Sequence, residues 1–128
     1  MFFKRKHNKN KELEMEFTKK EIKGIKEHLK VCANGRMDSL TFIHNGEDYS
    51  LSYEFSGLGE VSVSIAKYDY EDDYVDEGLN ILFDERFSYS LYDENDEKKT
   101  DDEIDDEIID FTKNAFDSIG IYNAEVLV

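Results

Sequence analysis

The sequence predicts an α+β domain in which an antiparallel β-meander of four to five strands is packed by an N-terminal and a C-terminal helix, in the order αββββαβ. Two segments, one toward each end, carry apolar residues at helical spacing. Between them lie runs whose apolar residues alternate with period two, broken by Asn-Gly and Gly-x-Gly turns at hairpin intervals.

The 128 residues, 39% of them hydrophobic, suffice for one closed core and are too few to divide comfortably into two. Residues 1 to 16 are basic and then mixed in charge, without a clear period. They read as a flexible tail that enters a strand near Leu13, Met15 and Phe17, and residues 17 to 128 read as a single acidic domain. Thr18 followed by Glu21 fits a capping box, in which each side chain satisfies a backbone amide at a helix start. Ile22, Ile25, Leu29 and Cys32 then form one stripe at helical period, and Asn34-Gly35 supplies the stop.

Leu40 to His44 is short and rich in strand formers, and Asn45-Gly46 is the strongest two-residue hairpin turn. Tyr49, Leu51, Tyr53 and Phe55 alternate with polar residues, as do Val61, Val63 and Ile65 after the Ser56-Gly57-Leu58-Gly59 turn. The two runs should pair antiparallel. Residues 69 to 78 read as an acidic loop. Ile81, Phe83, Phe87, Tyr89 and Leu91 share one parity and predict a bent strand, in preference to a short helix over residues 71 to 83 with Tyr74, Val75, Leu79 and Leu82 on one face. A second helix should begin near Asp101, because acids fill positions 101 to 107 apart from Ile104 and favour the positive end of the helix dipole. Its stripe is Ile104, Ile108, Phe111, Ala115 and Ile119, and Gly120 ends it. Ile121 to Val128 is apolar enough to add a last strand.

Several chemistries lose their usual signals. No apolar stretch approaches the roughly 20 residues of a membrane-spanning helix. The Met-Phe-Phe-Lys-Arg-Lys start resembles that of a secretory signal, but polar residues stand where its apolar region belongs. The one cysteine, Cys32, suits a reducing cytoplasm, and its place on the apolar stripe predicts a buried, inert thiol. His7, His28 and His44 lack the spacings of a zinc site, and His28 and His44 should be partly exposed. Asp69, Glu71 and Asp73 alternate, as do Asp93, Asn95 and Glu97, but the glycine and glutamate of an EF-hand loop are missing from both runs. No nucleophile elbow, phosphate loop or dinucleotide fingerprint occurs, so neither catalysis nor a cofactor is expected.

Charge carries the functional reading. The formal net charge is -15, from 16 Lys+Arg and 31 Asp+Glu. Residues 1 to 11 hold five bases and no acid, whereas residues 69 to 110 hold 19 acids and three bases, a net of -16. Such a field repels nucleic-acid backbones and anionic membranes and speeds encounter with a basic protein. Tyrosines set among carboxylates match the composition of protein interfaces. The expected contact residues are Asp69, Tyr70, Glu71, Asp72, Asp73, Tyr74, Asp76 and Glu77 in the loop, Asp93 and Glu94 in the turn, and Asp102, Glu103 and Asp106 at the second helix. The function this points to is neutralisation of a basic toxin such as a nuclease, as an immunity protein or antitoxin. A phage-encoded nucleic-acid mimic that inhibits a defence nuclease, and a weak cation-binding module, are the alternatives.

Overall fold

The computed structural model describes residues 14–36, 38–57, 59–69 and 78–128, with only the backbone of residue 69. Helix α1 (Lys19–Ala33) is followed by β1 (Ser39–His44), β2 (Glu47–Phe55), β3 (Glu60–Asp69), β4 (Gly78–Ser88), α2 (Asp101–Ser118) and β5 (Glu125–Val126). The strands form one antiparallel sheet in the order β4-β3-β2-β1-β5. The predicted αββββαβ order holds.

Both helices open on capping boxes. Thr18 Oγ1 accepts from the amide of Glu21 and the Glu21 carboxylate accepts from that of Thr18; Thr100 and Glu103 repeat the arrangement at α2. The Asn45-Gly46 turn has positive φ at both residues, 52° and 77°, which is the twist a two-residue hairpin requires. It sets Phe42 opposite Tyr49 and Leu40 opposite Leu51.

The helices cover one face of the sheet. Phe42, Leu51, Val61, Val63 and Ile65 from the strands meet Ile25 and Leu29 of α1 and Ile108 and Phe116 of α2, and all nine are at most 1% exposed. Phe116 makes edge contacts with Phe17 and Phe42. The opposite face is rich in small polar residues and forms an open groove lined by Ser39, Ser52, Ser62 and Ser64 with Asp38, Glu54 and Asp84. Gly24 lets the end of the chain cross α1, since a Cβ there would stand 2.3 Å from Val128 Cβ.

Several expectations are corrected. Met15 and Phe17 form no strand, yet both are buried, so the core reaches into the segment expected to be tail; Leu13 lies outside the described residues. The segment from residue 78 to 83 is strand rather than helix, and positions 71–77 lie outside the described residues. Ile81 does not share a face with Phe83 and Phe87. A bulge puts Ile65 opposite Phe83 but Ala66 opposite Ile81, leaving Leu82 as the extra residue. The parity flips there, and Ile81 is 60% exposed on the open face while Phe87 stacks on Phe111. β4 ends at Ser88 rather than running to Leu91. The last strand is only Glu125–Val126, paired with β1. His28 is buried, its Nε2 3.4 Å from Cys32 Sγ.

Candidate partner-binding surface

The expected contact residues divide into three groups. Asp69 ends β3, and Tyr70, Glu71, Asp72, Asp73, Tyr74, Asp76 and Glu77 lie outside the described residues. Asp93 and Glu94 sit in the turn after β4. There Asp93 Oδ1 accepts from the amides of Asn95 at 2.8 Å and Glu97 at 3.0 Å, and Asp96 adopts a positive φ of 61°. The Asp93 carboxylate thus holds its own turn, as an aspartate at the head of a tight turn commonly does. Glu94 is exposed. Among the described residues no three His, Cys, Asp or Glu side chains are grouped to hold a metal ion.

At the start of α2 the carboxylates have unlike roles. Glu103 closes the cap on Thr100. Asp102 and Asp106, one turn apart, both meet the ammonium of Lys26 on α1 at 2.8 Å. Those bonds, with Asp102 the larger contributor, raise the Lys26 pKa above its ordinary value, so the amine stays charged and ties the two helices together. Lys99 and Glu107 make a further bridge at 2.8 Å. Each of these carboxylates also keeps an exposed side, so the N-terminal part of α2 presents an acidic surface anchored by two lysines.

The residue that sequence reasoning missed is Asp105. It is only 8% exposed, and among the described residues no hydrogen bond or ion pair closes on its carboxylate. Burial pushes its carboxyl up to about 6; Lys26 and Lys30 pull in the opposite direction, and Asp101 and Asp102 add to the rise. It lines a cleft of about 290 Å³ between the C-terminal half of α1, the end of β2, the segment after β4 and the first turns of α2. The apolar walls are Leu29, Ala33, Phe55, Leu91 and Ile104, with Asp101, Lys30 and the Tyr89 ring completing the lining. Gly59 permits the approach on which the cleft depends: its φ is +85°, Tyr89 donates to its carbonyl at 2.8 Å, and a Cβ would stand 2.9 Å from the Tyr89 carbonyl oxygen.

A signal for Asp105 did exist. The face that α2 buries runs through Asp105, Ile108, Ile109, Thr112 and Phe116, at i, i+3, i+4, i+7 and i+11. The stripe chosen on hydrophobicity alone, from Ile104 to Ile119, is rotated from that face because Asp105 and Thr112 are polar. Thr112 is accommodated by accepting from the Tyr53 hydroxyl at 2.7 Å while donating to the Ile108 carbonyl at 2.8 Å. Asp105 has no such partner.

No described helix is long and apolar enough to cross a membrane. No protein-family model, curated protein or solved structure matches the chain.

Proposed function

We propose that this protein binds and neutralises a basic protein partner, acting as an immunity protein or antitoxin against a toxin that itself holds nucleic acid. The observation that carries this reading is the net charge of -16 within residues 69 to 110. An enzyme that grips phosphates presents Lys and Arg, and an array of carboxylates meets the same cations with the same sign of charge. Support comes from the N-terminal turns of α2, where Asp101, Asp102, Glu103 and Asp106 are all exposed. The capping box and the Lys26 bridges hold that surface in place before any partner arrives, which lowers the ordering cost of association.

The test is affinity capture with the full chain as bait at low ionic strength, followed by an assay of the captured protein's own activity with and without the chain. A basic protein should be retained, be released by salt and be inhibited in the complex. Charge reversal at Asp72, Asp73, Asp76 and Glu77 should slow association most strongly at low salt. Failure to retain any basic protein at low ionic strength would remove the reading.

A further inference from the structure

We infer that the cleft between α1 and α2 is a receptor slot for one arginine or lysine side chain, whose aliphatic stem lies along the apolar walls and whose cationic head meets Asp105 and Asp101. The inference deepens the proposed function, since the side chain would belong to the basic partner, and it rests on that reading for the identity of the donor.

Three observations converge on the slot. Asp105 is more than nine-tenths buried, lines the cleft and has no hydrogen-bond or ion-pair partner among the described residues. A carboxylate in that position costs the fold stability unless a ligand compensates it, and such costs concentrate at functional sites. The size of the cleft, about 290 Å³, falls at the bottom of the roughly 300–1,000 Å³ range of small-molecule pockets and suits a single side chain. Its lining combines apolar walls with Asp101 and Asp105, one helical turn apart on one face of α2, which matches a long alkyl stem ending in a cation. A guanidinium, with five donors in a planar fork, serves two carboxylates better than an ammonium does.

Charged groups approach Asp105 from two sides. Lys26 and Lys30 of α1 favour its ionised form, and Asp101 and Asp102 of α2 oppose it. Lys26 is already committed to Asp102 and Asp106. Lys30 lines the cleft, but no ion pair joins it to Asp105, so the position of a counter-ion is left to the incoming side chain.

The test titrates the full chain with n-butylguanidinium and, separately, with neutral n-butylurea, while amide resonances are followed by NMR at neutral pH. Saturable shifts at Ile104, Asp105, Tyr89 and Leu91 with the guanidinium, and none with the urea, are expected. Asp105→Asn should weaken binding about tenfold or more, whereas Asp110→Asn, an exposed acid outside the cleft, should leave it unchanged. A blocked Gly-Gly-Arg-Gly-Gly peptide should bind at least as tightly as the free cation. Equal shifts with the urea, binding unaffected by Asp105→Asn, or exclusion of the peptide while the free cation binds would each overturn the inference. Stability is a second readout, because an Asp105→Asn variant less stable than the parent at neutral pH would mark the carboxylate as a structural anchor. Since the probes are small molecules and peptides, failure here leaves the capture of a basic partner by the acidic surface separately testable.

Discussion

The carboxylate of Glu21 accepts the backbone N–H of Val126 at 2.7 Å, across 105 residues of sequence, while its other oxygen accepts the N–H of Thr18 at 2.8 Å. One side chain therefore caps α1 and holds β5 at the edge of the sheet. Both bonds are charge-assisted, and Glu21 is only 7% exposed, so water does not readily replace either. Glu21→Gln presents an amide NH₂ to one of the two N–H groups it now accepts. Chemical denaturation should show a loss of about 1–3 kcal/mol, and hydrogen exchange at Val126 should accelerate. Unchanged exchange there would show that β5 is held by its pairing with β1 alone.

The bulge at Leu82 makes opposite demands on two residues of equal parity. Phe87 stacks on Phe111 with ring centroids 4.7 Å apart, whereas Ile81 points to the open face. Phe87→Ala should cost about 2–3 kcal/mol through lost packing. Ile81→Thr should stay within about 0.5 kcal/mol of the parent. If denaturant midpoints showed equal losses, the register across Ile65 and Ala66 would be wrong.

Tyr53 donates to Thr112 inside the core, and burial raises its pKa well above the ordinary tyrosine value. An ultraviolet titration should therefore find one tyrosine that ionises only as the protein unfolds in alkali. Removing the hydroxyl in Tyr53→Phe should cost about 1 kcal/mol. Thr112 keeps its own donation to Ile108, so no buried donor is stranded.

Asp105 makes stability depend on pH in the reverse of the usual carboxylate sense. Its folded-state carboxyl is raised to about 6 from 3.8. A raised value favours the folded state while the group is protonated, so that contribution is fully present below about pH 4 and is lost as pH rises through about 6. Asp105→Asn should be more stable than the parent by about 1–3 kcal/mol at neutral pH, and the difference should vanish in unfolding measurements below about pH 4. A difference independent of pH would show that ionisation of Asp105 is not its source.

Cys32 is buried beside His28, and burial raises its thiol pKa. Reaction with a thiol reagent should be slow in the native protein and become rapid on adding denaturant. Fast native-state reaction would show that this end of α1 opens locally.

Much of the fold was legible because its signals are short-range. Capping boxes, the Asn45-Gly46 turn and the alternation from Tyr49 to Ile65 each involve residues within a few positions of one another, and local backbone energetics determine them. The candidate site was legible only as a charge. That acids crowd residues 101 to 107 is a property of the sequence, but which of them caps, bridges, faces water or lies buried depends on what the fold places opposite.

The sequence by itself therefore determined the elements, their order and the sign of the surface field. Tertiary structure alone decided that Leu82 bulges and turns Ile81 outward, that Glu21 reaches β5, that Lys26 joins Asp102 to Asp106, and that Asp105 ends in an apolar cleft without a counter-ion. The reason is distance along the chain. Each outcome depends on partners tens of residues away or on their absence, and the free energy of a buried charge is set by its surroundings rather than by its neighbours in sequence.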